Sequence, residues 1–409
     1  MELPILRMAD ELMRTGVCRF LRHFEQRFPR EHLKDLAVTA SGPGRNMVVA
    51  GRRVVNFGSD SFLGLDQDER VQSALRAGLK KWGTHNGASR VFLSVEANRE
   101  AEEKLARWLK TESCLIYPSV TLTNYGAIPA LVGRQDIIVA DQMAHDSIHT
   151  AARIAQSNGV RVQTFAHNDA GDLERILHRS RPYRHALVAV DGVYSMSGDL
   201  PPLKDILDVT TANQGVLYVD DAHGTGVLGE HGRGSVLLNL GHYDNVLVVG
   251  SLSKAFSCAG GFIGCPAAIQ RILKMSSNPY IFGGPVPPPY LEAILTVLDI
   301  LSSDEFNELK ARLDANVEQL TYGARSLGFR VLGGITPIVS LLIGDEAATL
   351  RAGHYLFERG FYVQSVIFPA VPYHGGVLRI QVNSNHLRAE IDGLLGALAE
   401  MKKELLVAA

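Results

Sequence analysis

Cysteine and tryptophan are scarce in this sequence, and its charges nearly cancel. Its 409 residues hold 4 Cys and 2 Trp, and 41 Lys+Arg face 43 Asp+Glu for a net charge of −2. Cys18, Cys114, Cys258 and Cys265 lie far apart with no CxxC pair. That excludes a disulfide framework and a cysteine metal knuckle, and the four read as buried thiols in a reducing compartment. The even charge balance excludes the basic footprint of a nucleic-acid binder and an electrostatic hold on an anionic membrane. No run approaches the ~18 apolar residues that a membrane helix needs. Glu2, Asp10 and Glu11 interrupt the first residues and no apolar h-region follows, so a secretory leader is not expected and the expected location is cytoplasmic. Internal repeats and low-complexity tracts are absent too.

Hydrophobic residues make up 46% and charged residues 21%, the balance of a packed globular protein. The chain starts with an amphipathic helical stretch (ELMRTGVCRFLRHFEQ), a Gly/Pro segment at 41–44 and β-rich RRVVNFGS. From about residue 68 to 285, short apolar runs alternate with helical periodicity. Strands are expected at 114–117, 136–140, 160–165, 185–192, 215–220, 245–250 and 260–264, with helices such as 99–110 and 145–157 between them. Strands that are apolar along their whole length predict a mainly parallel sheet covered on both faces, in an α/β fold. GGPVPPPY at 283–290 marks a boundary, followed by a long helical run (about 290–327) and a smaller α+β unit. The expected domains are a large α/β domain over 61–285, a small C-terminal domain over 286–409, and a segment 1–60 packing with the small one.

Ligands of such sheets sit beyond the carboxyl ends of the strands. After GVLYV come Asp220, Asp221, Ala222 and His223, then Gly224-Thr225-Gly226-Val227-Leu228-Gly229. The last six match G-x-G-x-x-G, yet a dinucleotide site requires a helix start and an acid ~20 residues on, and Gly232 and Gly234 oppose a helix here. Asp220 suits a pyridinium nitrogen, with His223 beside it; a capping Asp and a packing His fit these residues equally well. The next strand runs into Ser251, Ser253 and Lys254, with Gly260 and Gly261 following. This fits a Schiff-base lysine beside a phosphate, and taken alone it also fits a solvated loop. His145 follows DIIVAD at a helix start, where it either stacks on a flat cofactor or, as the residues alone favour, sits beside an N-cap. Ser195, after HALVAV, is placed to donate to a ring hydroxyl.

Four blocks, VDDAHGTGVLGEHGRG, VDGVYSMSGDLPPL, SLSKAFSCAGG and the HND at 167–169, resemble those of the α-oxoamine synthases. These are pyridoxal-phosphate enzymes of aspartate-aminotransferase-like fold (fold type I), and the resemblance runs from about Asn56 to His386. It implies that Lys254 carries the cofactor, Asp220 pairs with its ring nitrogen, and His223 and Ser195 flank its 3-oxygen. It further implies that His145 stacks on the ring and Ser251 binds phosphate. Val120 and Thr121 stand where the family has a glycine and an aromatic, so their amides at a helix start are the expected phosphate donors. Arg379 in VLRIQVNSNH matches the arginine that grips the amino-acid carboxylate through its planar fork.

Three departures bear on substrate. Asp60 in SDSFLGL replaces an asparagine near that carboxylate, and Arg379 is its candidate partner. Asn98 lies near a family histidine, and Gly283 and Gly284 replace a Ser/Thr pair that reaches phosphate from a neighbouring subunit. The implied reaction is a decarboxylative condensation of a small amino acid with an acyl thioester, on CoA or a carrier protein, releasing CO2 and free thiol and giving an α-amino ketone. Lys254, His145, Asp220 and His223 are its expected catalytic residues, in a homodimer with shared sites and no metal. The alternatives are an aminotransferase or a threonine-aldolase-like lyase on the same cofactor, or a non-catalytic homologue.

Overall fold

The structure, a computed structural model, describes residues 3–30, 35–42 and 44–406; Glu2 and Pro43 lie outside them. Two compact units divide the chain: Met1–Ser59 with Met196–Gly198 and Asp314–Ala409, and Asp60–Ser195 with Asp199–Leu313. The smaller unit opens with α1 (Pro4–Met13), α2 (Gly16–Arg27), β1 (Val38–Ser41), β2 (Asn46–Val49) and β3 (Arg52–Asn56). The N-terminal helical stretch is thus two helices, and the second starts at Gly16, whose φ of 51° belongs to the left-handed region.

The larger unit runs α3 (Glu69–Trp82), α4 (Glu96–Leu109), β4 (Ser113–Tyr117), α5 (Val120–Ala130), β5 (Ile137–Asp141), α6 (Asp146–Ser157), β6 (Arg161–Phe165), α7 (Ala170–Arg179) and β7 (Ala186–Asp191). It continues through α8 (Leu203–Ala212), β8 (Gly215–Asp220), α9 (Ser235–Leu240), β9 (Val246–Ser251), β10 (Gly261–Cys265), α10 (Ala267–Ser276), α11 (Asn278–Phe282) and α12 (Pro288–Ser302). Next, α13 (Glu305–Ser326) leads to β11 (Val331–Leu332), β12 (Ile338–Gly344), α14 (Glu346–Glu358), β13 (Phe361–Tyr362), β14 (Gln364–Val366), β15 (Gly376–Gln381) and α15 (Arg388–Met401).

The large unit is built on a seven-stranded sheet of order β4-β10-β9-β8-β7-β5-β6. Only β10 runs against its neighbours; β9, β8, β7, β5 and β6 are parallel. β5, β7 and β9 are buried at every position, which is why their sequences are apolar without alternation. Their side chains feed two cores, one holding Ile138, Leu187 and Val249, the other Val139, Val188 and Val248. Burying each such side chain stabilises the fold by roughly 1.5–3 kcal/mol. β6 closes one edge and is exposed along most of its length.

The division differs from the sequence boundary at 285/286, because α12 packs against α3 and α4 of the large unit. Gly78 permits that approach: a Cβ there would stand 2.8 Å from Pro289 Cα. The expected single helical run is two helices, α12 and α13, broken at Ser303 and Asp304. Residues 224–229 form turns in which Gly226 and Gly229 take positive φ, a single 3-10 turn follows at Glu230–Gly232, and the next α-helix begins only at Ser235. The small unit carries two four-stranded sheets, β1-β2-β3-β13 and β11-β12-β15-β14. The structure buries Cys114 and Cys265, as expected of all four cysteines, but leaves Cys258 half-buried and Cys18 exposed on α2, a helix with no buried position.

Candidate active site

The carboxyl ends of β5, β7, β8 and β9 and the start of α5 surround one cavity of about 200 Å³. Seven of the residues singled out in the sequence line it: Val120, Thr121, His145, Asp220, His223, Ser251 and Lys254. Ser119, Asp191, Ala222 and Ser253 complete the lining. Ser195 and Asp60, both in the large unit, are outside this lining. Arg379 belongs to the small unit, on the central part of β15. It is buried, and its Nη1 donates to Gln364 Oε1 on β14 at 2.8 Å.

Parallel pairing sets Asp191 and Asp220 side by side at the ends of β7 and β8. Asp220 accepts on both oxygens, from Asn124 Nδ2 at 2.7 Å and from the Ala222 amide at 3.2 Å. Burial, with the charge of Asp220 added, pushes the pKa of Asp191 well up. Asp221 faces away from the cavity lining: its Oδ2 accepts the Ser235 amide at 2.7 Å, and burial lifts its pKa to about 7.

His145 stands at the helix start, as the N-cap itself. It caps α6, where its Nδ1 accepts from the Ser147 amide at 3.2 Å, and it lines the cavity. Its own amide donates to Asp191 Oδ1 at 3.0 Å. Ser147 Oγ lies 2.7 Å from the same Nδ1 and accepts from Asn124 Nδ2 at 2.8 Å. Tyr218 OH in turn donates to Asn124 Oδ1 at 2.8 Å. Asn124 thus joins the carboxylate at one wall to the imidazole at another. Sequence reasoning passed over Asn124, Ser147 and Tyr218; the only signal was an amide inside the apolar run of YPSVTLTN.

Lys254 Nζ lies 3.3 Å from His223 Nδ1. The strand that delivers it ends in buried Ser251, whose Oγ accepts the Ser253 amide at 3.1 Å. Opposite, Ser119 caps α5, accepting from the Leu122 amide at 3.2 Å. The amides of Val120 and Thr121 head that helix, where orphan N–H groups and the helix dipole favour an anion. Gly261 of β10 lies under this helix start: a Cβ there would come 2.5 Å from Val120 N and 2.8 Å from Ser119 C. The space is therefore a cradle that a side chain would close.

These groups fit pyridoxal 5′-phosphate. Hydroxyls, the amides heading a helix, a buried carboxylate, an imidazole and an amine within reach of a histidine line the one cavity. The group differs from the dinucleotides rejected above in needing only one anion cradle.

A family model for aminotransferase class I and II matches residues 52–398. An 8-amino-7-oxononanoate synthase of Geobacter sulfurreducens is 35% identical over 373 residues, 91% of this chain and 95% of that protein. One of Maricaulis maris is 37% identical over 350 residues, 85% of this chain and 86% of that protein. Among solved structures, the serine palmitoyltransferase of Sphingomonas wittichii superposes with a TM-score of 0.90 at 25% identity, over 97% of this chain and 99% of that one. That of S. paucimobilis, with PLP and myriocin bound, gives 0.89 at 26% identity over 95% and 98%.

Proposed function

The chain belongs to the aminotransferase class I and II family and is a pyridoxal-5′-phosphate enzyme, and from that premise we propose that it condenses a small amino acid with an acyl thioester, releasing CO2 and free thiol to give an α-amino ketone. The observation that carries this reading is the single cavity in which Lys254, His223, Asp220 and His145 meet at neighbouring strand ends. The names of the curated relatives support the condensation over other reactions of the family.

In this reading Lys254 holds the cofactor, Asp220 faces its ring nitrogen, His145 lies against the ring, and Ser251 with the amides of Val120 and Thr121 takes the phosphate. When bound, the cofactor supplies an electron sink for charge developing at the amino-acid α-carbon. Lys254 Nζ is the base for the α-proton, and His223 Nδ1, 3.3 Å away, is the group that keeps that amine positioned. Asn124 fixes Asp220 and, through Ser147, His145, so the two sides of the ring seat are set before ligand arrives. Ser195 donates to the ring oxygen, and the amino-acid carboxylate is the anion assigned to Arg379, with Asp60 also assigned to the amino acid.

We assign the working state as a cytoplasmic homodimer with shared sites. Its support is that two aromatic side chains of the large unit stand open, Phe92 at 85% and Phe282 at 81% exposure. Nearby in sequence, the side chains of Asn86, Ser89 and buried Asn98 lack hydrogen-bond partners among the described residues. Exposed aromatic side chains of this size favour a covering surface, and a second copy is the covering this reading supplies.

The deciding experiment is a panel of amino acids offered with acyl-CoA and acyl-carrier-protein thioesters, recording free thiol and CO2. Release of both in equal amounts is the expected result. Keto acid with no thiol release would make the protein an aminotransferase, and aldehyde plus glycine from a β-hydroxy amino acid would make it a lyase.

A further inference from the structure

Behind the cavity wall, in the large unit, β6 gives way to a tight turn in which Asn168 takes a φ of 57°. The turn presents His167 to two carboxylates. Its Nδ1 lies 3.0 Å from Asp141 Oδ1 and its Nε2 lies 2.7 Å from Asp199 Oδ2. Each oxygen is an acceptor, so each ring nitrogen must donate, and only the imidazolium has two N–H groups.

The two carboxylates belong to different walls of the site. Asp141 ends β5 and shapes the turn to His145: its Oδ1 accepts the Met143 amide at 2.7 Å and its carbonyl the Ala144 amide at 3.0 Å. Asp199 closes the loop after β7, where its carbonyl accepts the Tyr194 amide at 3.0 Å, next to Ser195. The Tyr194 ring stands perpendicular to the His167 ring, centroids 4.4 Å apart. Asn168 reinforces the join, its amide donating to Asp141 Oδ2 at 2.9 Å and its Nδ2 to Asp199 Oδ2 at 2.9 Å.

We propose that His167 is a positioning residue that, bonded through both ring nitrogens, ties the turn presenting His145 to the loop presenting Ser195 and so sets the seat of the cofactor ring without touching it. The inference rests on the roles given above to His145 and Ser195.

Burial disfavours the His167 charge, but the bonds to Asp141 and Asp199 outweigh it and lift the pKa to about 9. Asp141 feels burial in the same way, and the bonds from His167, Asn168 and Met143 hold it below the ordinary carboxylate value. Besides these two carboxylates, the titratable group facing the ring is Tyr194, whose phenol burial pushes upward and so keeps neutral through this range. Asp172, nearby, is occupied by the Ala166 amide at 2.8 Å. Above pH 9 a neutral ring offers one N–H to two carboxylates, and one wall is released.

The test measures the Kd for pyridoxal 5′-phosphate and the visible circular dichroism of the bound cofactor between pH 6.5 and 9.5. The wild type is compared with His167→Gln and Asp199→Asn. In the wild type the Kd should rise about tenfold through pH 9, in line with loss of a charge-assisted bond. His167→Gln should show that raised Kd and the altered dichroism already at pH 7 and stay flat. Asp199→Asn, which keeps the imidazole but removes one charge, should move the alkaline rise to lower pH. A His167→Gln enzyme that melts earlier yet keeps the wild-type Kd and pH profile would overturn the proposal. Neither amino acid nor thioester enters these measurements, so the condensation reading can fail in its own assay while this result stands.

Discussion

Asn124 uses its whole amide inside the wall of the cavity. It donates to Asp220 at 2.7 Å and to Ser147 at 2.8 Å, and it accepts from Tyr218 at 2.8 Å. An apolar side chain of similar size would leave three buried polar groups short of a partner. Asn124→Leu should therefore weaken pyridoxal-phosphate binding about 10–100-fold, the equivalent of roughly 1–3 kcal/mol for unsatisfied buried groups. Fluorescence titration of the folded variant measures this, and an unchanged Kd would mean that Asp220 is held in place by Ala222 alone. The residues on strand tips were readable in advance because each directly follows an apolar run: Asp220, His223, Ser251 and Lys254 all line the cavity. Arg379, between Leu378 and Ile380, is likewise buried, as its neighbours implied. Asn124 was not readable. It sits inside a helix, and its carboxylate partner lies 96 positions away, so only the fold brings them together.

At the scale of elements, the start of α5 packs closely on β10. The backbone of Val120 and Ser119 would meet a Cβ on Gly261 at 2.5 and 2.8 Å, and backbone cannot swing aside as a side-chain tip can. Gly264, on the same strand, would meet only side chains, at 3.1–3.3 Å. Gly261→Ala should lower stability by roughly 1–3 kcal/mol, as overpacking does, and should also weaken cofactor binding, because the amides of α5 are displaced. Gly264→Ala should lose at most a little stability and keep the wild-type Kd. Thermal melts with a cofactor titration distinguish the two, and equal Kd values for both variants would separate α5 from phosphate binding.

The seven strands of the large sheet stand within about a residue or two of their expected places. The strands buried on both faces advertise themselves by unbroken apolarity, and the exposed edge strand β6 by its alternation of Val162 and Thr164 with polar neighbours. Elements whose apolar signal is weak or continuous across a break were misread. β1 is exposed at all four positions and shows no alternation. The helical stretches 4–27 and 288–326 each hide a break that periodicity carries straight through. In the sequence the small unit is resolved only as α+β and α14 is not singled out, although Asp345 caps it, accepting from the Ala348 amide at 2.8 Å.

Across the whole molecule, two histidines make stability depend on pH with opposite signs, one in each unit. His167 of the large unit has a raised pKa of about 9 against an ordinary value near 6.5. Its contribution is full below pH 6.5 and is lost as pH rises through 9. His386 of the small unit is the reverse case. Its Nδ1 accepts the Asn383 amide at 3.0 Å, its Nε2 donates to the Asn56 carbonyl at 3.1 Å, and its ring stacks on Phe57 with centroids 4.0 Å apart. A second ring proton would point at an N–H donor, and burial drives the pKa down to about 3. Between pH 6.5 and 3 the unfolded chain takes up a proton there that the folded chain refuses. The folded state is therefore favoured above pH 6.5 and penalised as pH falls through that window, by up to about 5 kcal/mol. Asp221, lifted to about 7 by burial, slopes the other way over part of the same range, so the wild-type curve alone is a sum. The difference between wild type and His386→Gln isolates the histidine. The variant should melt at lower temperature at pH 7, where it lacks the two hydrogen bonds and the stacking, and the gap should narrow steadily toward pH 4.5. Melting curves at half-unit pH steps measure that gap, and a gap that stays constant from pH 7 to 4.5 would show that His386 takes up its proton in the folded state as readily as in the unfolded chain.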